Sequence, residues 1–262
     1  MKAVVTGANG TLGQILCETL RNEGWSVIPW NRQLVPANNL HEGRLFLQRI
    51  KPDVVFHLAI ASTATGAANE GWHINHDWPA QLADICREQG CHLLFTSTAM
   101  VFSDSAIGPF NSNSRPDAGH GYGYEKRMAE EAIRRRLPSA HIVRLGWQIG
   151  TGPGGNNMVE HLRQQQLNGG KVLASRRWLP ACSALADTSR LLLAVLSQPG
   201  GTYMIDSNRR WTFYDIARAI NDRYTFGWQV EASDDFVFDQ RLQDERLPAP
   251  PLSEHFPLLA RL

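Results

Sequence analysis

Two residues four positions apart carry the chemistry most readily read from this chain. Tyr122 and Lys126 lie in GYGYEKRMAEEA, and in a helix that spacing sets both on one face while Tyr124 points elsewhere. A phenol beside an ammonium is an acid/base couple. The ammonium favours the phenolate and is expected to draw the tyrosine pKa down, making Tyr122 a proton donor or acceptor towards a carbonyl or alcohol. FTSTAMVF adds Ser97 and Thr98 at the C-terminal end of a predicted strand, where open α/β sheets place their ligands. Thr98 there can orient a substrate oxygen, although Ser and Thr at such places more often serve as turn or cap residues.

The first predicted strand runs into TGANGTLG, with Gly7, Gly10 and Gly13 at the turn into a helix. Gly7 permits the tight turn, Gly10 lets backbone approach a pyrophosphate, and Gly13 lets the helix pack on the strand, while the helix N-terminus attracts phosphate. An ordinary glycine-rich turn has the same three glycines, but this placement predicts a dinucleotide site formed by Gly7, Asn9, Gly10, Thr11, Leu12 and Gly13. After the second strand, where an NAD site offers a carboxylate to the adenosine ribose, the chain has Trp30-Asn31-Arg32. Asn31 and Arg32 are assigned to the cofactor. A guanidinium suits a 2′-phosphate, which favours NADP(H) over NAD; a solvated surface arginine is the alternative.

These groups need a scaffold, and short β-branched runs alternating with amphipathic stretches predict one. Strands are expected at Lys2 to Thr6, Ser26 to Trp30, Asp53 to Leu58, His92 to Ser97 and His141 to Leu145. Helices are expected at Thr11 to Glu23 before Gly24, at Trp78 to Gln89 before Gly90, and at Tyr122 to Arg136 before Leu137-Pro138. The fold class is α/β, a doubly wound, Rossmann-like parallel sheet with a small C-terminal substrate lobe. Residues 1–150 form the dinucleotide-binding core. Residues 151–262 form mainly the lobe, entered through the TGPGG break (Thr151 to Gly155) and packed with the core as one globular unit. The proline-rich tail from Leu247 is expected to lie across the surface.

Composition narrows the function classes. The 262 residues carry 26 basic and 25 acidic side chains with no basic run of the kind that holds a phosphate backbone, so nucleic acid is not an expected partner. No leader and no run of 18 apolar residues is evident, which predicts a cytoplasmic protein without membrane association. Cys17, Cys86, Cys91 and Cys182 form no paired framework and read as reduced, mostly buried thiols. No metal-ligand spacing is present. His57 sits inside a buried strand and reads as a hydrogen-bonded core histidine. Asp77, Glu125 and Glu130 read as helix-surface carboxylates.

Taken in order, TGANGTLG, PDVVFHLA, STAMVF, YGYEK and RLGWQIGTGPGG resemble the extended short-chain dehydrogenases of the NAD-dependent epimerase/dehydratase group. Within it the chain is most similar to the dTDP-4-dehydrorhamnose reductase family. That family's STDYVF is matched by STAMVF, its RxxWxxG by Arg144, Trp147 and Gly150, and its NNF by Asn156-Asn157-Met158; Leu179-Pro180 falls near its proline turn. The resemblance implies that Thr98, Tyr122 and Lys126 are catalytic and that Leu58 and Ala59 join the glycines in lining the cofactor. The strand ends and the polar and aromatic groups of the lobe put Thr98, Met100, Trp147 and Asn157 at the expected substrate site, with a core place as the equal alternative for Trp147, and Lys126 can also hydrogen-bond the nicotinamide ribose. The family's habit makes a homodimer the expected assembly.

Ala99 and Met100 stand where that family has Asp and Tyr, which sets the sugar pocket apart and speaks against dehydration, a reaction needing a second acid/base couple there. The favoured activity is therefore NADPH-dependent reduction of a keto group on a nucleotide-linked sugar. Nucleotide-sugar epimerisation is the next reading. A non-catalytic NADP-binding regulatory subunit is the third, with the intact Tyr122, Lys126 and Thr98 set against it.

Overall fold

The computed structural model describes residues 1–61, 66, 68–152 and 155–262. Pro153 and Gly154 of the TGPGG break lie outside the described residues. Six strands form one sheet: β1 (Lys2–Thr6), β2 (Ser26–Pro29), β3 (Val54–His57), β4 (His92–Thr98), β5 (His141–Leu145) and β6 (Gly201–Ile205), in the order β6-β5-β4-β3-β1-β2. The β1–β2, β1–β3 and β3–β4 pairs are parallel. Every residue of β3 and β5 is buried, the two-sided burial expected of central parallel strands, with His57, His141 and Arg144 buried among the apolar residues. The expected strands form with their ends trimmed or extended by one residue; β6 was not among them.

Helices α1 (Thr11–Asn22), α2 (Leu40–Ile50), α3 (Trp78–Gln89) and α4 (Gly121–Arg136) cover this sheet. Gly90 closes α3 with φ +69°, a left-handed position that glycine takes without steric cost. The signal for α2, absent from the expected helices, is a cap: the Asn39 side chain accepts the Glu42 N–H at 3.1 Å. Leu47, Leu82, Ile85, Leu93, Phe95 and Ile133 share the core between sheet and helices.

The chain divides into two compact units. The first holds Met1–Ser103, Arg115–Arg144 and Leu192–Tyr203, and the second Asp104–Ser114, Leu145–Leu191 and Met204–Leu262. A single cut at residue 150 does not describe this division, because the late strand β6 returns to the sheet beside β5. The second unit contains α5 (Met158–Gly169), most of α6 (Leu185–Ala194) and α7 (Phe213–Tyr224), with four pairs of short parallel strands. A capping box between Thr212 and Asp215 starts α7.

The tail corrects the expectation of a surface strap. Leu252, Phe256 and Leu259 are buried in the second unit's core with Ile216, Ile220 and Trp211. Prolines stop a long helix there, but two short 3₁₀ turns at Leu252–Glu254 and Pro257–Arg261 still turn these apolar side chains inward. Trp211 Nε1 donates to the Leu259 carbonyl at 2.9 Å. All four cysteines are buried and free. Among the described residues no helix is long and apolar enough to cross a membrane.

Candidate active site

In a sheet of this order the strand direction of travel reverses between β1 and β3, and open α/β sheets bind ligands at such a switch point. The residues leaving these two strands are in close contact. Gly7 follows β1 with φ +68°, and a Cβ there would come within 2.8 Å of the Ala59 nitrogen and 2.9 Å of the Leu58 carbonyl carbon. Gly13 packs α1 onto the turn so tightly that a Cβ would stand 2.1 Å from the Gly7 oxygen. Gly10 is different: exposed, it would place a Cβ 3.2 Å from that oxygen and otherwise in open space. It is also the N-cap of α1 and brings no side-chain bond to the helix N-terminus, whose N–H groups and dipole suit an anion. Asn9 is exposed beside it, its carbonyl accepting from Gln14 Nε2 at 2.8 Å, and Thr11 and Leu12 are half-buried in the first turn.

Thr6 ties the two strand ends together. Its Oγ1 accepts the Leu58 and Ala59 N–H groups, each at 3.2 Å, and lies 2.9 Å from His57 Nδ1. A hydroxyl that already accepts twice gives its own hydrogen to Nδ1, which leaves the imidazole proton on Nε2. Burial first, then the Lys126 charge, holds His57 well below the ordinary histidine range. It is a neutral core residue, as its place in the strand predicts. Beyond β2, Asn31 Oδ1 accepts the Gln33 N–H at 2.9 Å, and Arg32 is exposed with no ion pair among the described residues.

Tyr122 and Lys126 rise from the first two turns of α4 on one face, whereas Tyr124 turns to Trp72, with ring centroids 6.0 Å apart. Thr98 ends β4 and caps the turn that follows: its Oγ1 accepts the Met100 N–H at 3.1 Å, which leaves its own proton to donate. This turn presses on α4, since a Cβ at Gly123 would lie 2.0 Å from the Met100 oxygen. Thr98 and α4 are thereby held together, and the Met100 side chain is left 52% exposed.

The electrostatics correct one expectation. Tyr122 is raised above the ordinary tyrosine value, by burial first and by the Glu125 charge second, rather than drawn down by Lys126. Lys126 is fully buried, its Nζ 3.9 Å from the Phe95 ring centroid and 6.0 Å from that of Tyr122, with no hydrogen-bond partner among the described residues. Burial pulls it down to about 7 against the opposing charges of Glu130 and Glu125. Burial of the phenol itself and the Glu125 charge outweigh any pull from this partly protonated neighbour.

Glu130 is likewise not a surface carboxylate. It is wholly buried one turn beyond Lys126, accepting Arg144 Nε at 2.9 Å, Arg144 Nη2 at 2.7 Å and Ser97 Oγ at 2.6 Å. A charge on a helix is normally solvated; this one is retained because a guanidinium from β5 meets it in bidentate form. The consequence is a brace between α4, β4 and β5 directly behind Thr98. Glu125 is half-buried, accepting from Asn75, and Asp77 lies between the imidazoles of His73 and His76, each at 2.8 Å. Asn75 and the Glu130 brace were not expected from the sequence. The four-residue spacing of Tyr122, Lys126 and Glu130 was the available signal for the latter.

Trp147 and Asn157 belong to the second unit. Trp147 is half-buried in an aromatic cluster with His161 at 5.0 Å and Phe213 at 6.1 Å. Asn157 is 1% exposed and caps α5, its Oδ1 accepting the Glu160 N–H at 3.0 Å. Each has a structural task within its own unit.

Comparison with known proteins agrees with this architecture. The model of the RmlD substrate binding domain matches residues 1–245. A dTDP-4-keto-6-deoxy-D-glucose reductase of Streptomyces niveus is 26% identical over 220 residues, spanning 82% of this chain and 76% of that protein. Among solved structures, a dTDP-4-dehydrorhamnose reductase from Clostridium acetobutylicum superposes with a TM-score of 0.85 at 22% identity, covering 100% of both chains. One from Bacillus anthracis in complex with NADP superposes with a TM-score of 0.83 at 20% identity, covering 97% of this chain and 96% of that one. At these identities the structures show the fold, and it is the family match over nearly the whole sequence that places the chain in the RmlD substrate binding domain family, among the extended short-chain dehydrogenases/reductases.

Proposed function

We propose that the protein is an NADPH-dependent reductase of a keto group on a nucleotide-linked sugar. The observation that carries this reading is the assembly on α4 and β4. Tyr122 is held protonated, Lys126 is buried on the same helical face, and Thr98 has a hydroxyl proton to spare. Reduction consumes a proton at the substrate oxygen, and a protonated phenol can supply it, with the Lys126 ammonium beside it to steady the phenolate that delivery leaves behind.

The residues present fit a dinucleotide. Gly7 and Gly13 close a turn that a Cβ would fill, Gly10 leaves room for backbone approach, and the orphaned Lys126 Nζ calls for an acceptor such as a ribose hydroxyl. Gly7, Asn9, Gly10, Thr11, Leu12 and Gly13 would hold the pyrophosphate, Leu58 and Ala59 would line the nicotinamide half, and Asn31 with Arg32 would meet the adenosine end. Bound there, the cofactor supplies the hydride that reduces the carbonyl carbon. Thr98 donates to the substrate oxygen and fixes its position, Tyr122 delivers the proton as the oxygen becomes an alkoxide, and Lys126 offsets the charge left on the phenolate. Met100 presents an apolar, exposed side chain next to Thr98 and shapes that side of the substrate.

A reductase named for dTDP-4-keto-6-deoxy-D-glucose is among the relatives, which supports the substrate class. The test is to supply that compound with NADPH and follow the nicotinamide absorbance. Oxidation of NADPH matched by formation of the alcohol supports the reading. Sugar inversion without net oxidation would move the assignment to an epimerase, and NADPH binding without turnover on any nucleotide keto-sugar would move it to the regulatory class.

A further inference from the structure

The charge around Lys126 comes from two carboxylates of α4, and they are answered differently. Glu130 is committed to Arg144, with Arg134 Nη1 also 3.4 Å from its Oε2. Glu125 makes no ion pair among the described residues. Its Oε2 accepts from the neutral amide of Asn75 at 2.8 Å, and its Oε1 packs on Gly71, where a Cβ would come within 2.7 Å. Asn75 is 2% exposed and spends its Oδ1 on the Ala61 N–H at 3.1 Å, so the amide cannot swing away. It projects from a π-helical turn at His73–Asp77, a widened turn of the kind that recurs at functional sites.

We propose that Glu125 is a positioning residue for the proton-transfer pair, locked by Asn75 and Gly71 so that one uncompensated negative charge stays beside Tyr122 and Lys126. The proposal rests on the reading of those two residues as that pair. The charge acts on both in one direction: after burial it raises Tyr122 further, and after Glu130 it resists the burial that pulls Lys126 to about 7. Among the described residues, the titratable groups around Lys126 include His57 on β3, held neutral, and the Glu130–Arg144 pair from α4 and β5, while the turn packed against Glu125 carries His73 and His76, both engaged with Asp77. Glu125 is therefore the charge whose removal leaves the least compensation behind.

The chain has four lysines, so isotope-labelled lysine ε-carbons can be titrated by NMR without substrate, with Lys126→Met identifying the signal. Glu125→Gln keeps an acceptor for Asn75 and removes only the charge. In that variant the Lys126 midpoint is expected to fall by roughly one pH unit, the scale of one nearby charge in a partly shielded site. Glu125→Asp keeps the charge and is expected to recover most of the shift. An unmoved midpoint in Glu125→Gln overturns the proposal, and so does an equal fall in both variants, which would assign the effect to side-chain length. Turnover of Tyr122→Phe reads the underlying assignment separately. An unmoved midpoint with Tyr122→Phe inactive removes the role of Glu125 alone, whereas full activity of Tyr122→Phe removes the pair on which it rests.

Discussion

Alanine at Gly10 and at Gly13 should separate holding the turn from holding the cofactor. At Gly13 a Cβ would stand 2.1 Å from the Gly7 oxygen and 2.8 Å from the Ala8 Cα, whereas ordinary contact needs about 3.4 Å, so α1 must back away by about 1 Å. Overpacking of that size costs about 1–3 kcal/mol, and the same retreat carries the helix N-terminus off its ligand. Gly13→Ala should therefore lose both thermal stability and NADPH affinity. At Gly10 the nearest atom is 3.2 Å away, a crowding relieved by a few tenths of an ångström, so the free protein should melt within a degree or two of wild type. The added methyl instead occupies the approach to the pyrophosphate, and NADPH should bind about 10- to 100-fold more weakly, or about 1.4–2.8 kcal/mol. Thermal melting without ligand and fluorescence titration of NADPH measure the two quantities. If Gly10→Ala binds NADPH within twofold of wild type, the dinucleotide does not pass over this turn and the site assignment fails.

Three further perturbations test the remaining parts. Tyr122→Phe should leave NADPH affinity nearly intact and lower turnover by about 10²- to 10⁴-fold, with Tyr124→Phe as the control; equal damage in both would point to packing rather than proton transfer. Arg32→Ala should weaken NADPH more than NADH, because only the former carries the 2′-phosphate, and an unchanged preference in paired titrations would return Arg32 to the surface. Glu130→Gln should destabilise the protein by about 3–5 kcal/mol by stranding the buried Arg144 charge, and Glu130→Leu with Arg144→Met should recover most of that loss. Urea unfolding of the single and double variants decides this, since strictly additive losses would mean that the pair does not act as a unit.

What the sequence made legible is what local spacing encodes. The glycine turn, five of the six sheet strands and the common face of Tyr122 and Lys126 each follow from residues within a few positions of one another. Failures occurred where the partner is distant or the local signal is dominated by another residue. Glu130 looks solvated until β5 brings Arg144 against it from 14 positions away. Tyr122 departs from the expectation because burial of the phenol itself, invisible in the spacing, and the Glu125 charge outweigh the neighbouring ammonium. In the tail, prolines masked an apolar face at Leu252, Phe256 and Leu259. Trp147 and Asn157, expected at the substrate with the core as the alternative for Trp147, have packing and capping contacts in the second unit that the sequence does not show.

The late arrival of β6 bears on how the protein can be made and cut. During synthesis, 55 residues separate the end of β5 from the start of β6 (201 − 145 − 1), so the nascent sheet waits with β5 as its rim. That strand is buried along its whole length in the finished fold and would meanwhile offer unpaired backbone groups to any passing chain, a recognised route to aggregation. A fragment ending near residue 150 would make the interim state permanent. The N-terminal portion alone should therefore be a poor candidate for isolated expression, and a better fragment would graft residues 192–205 back onto the rim of β5 through a short linker.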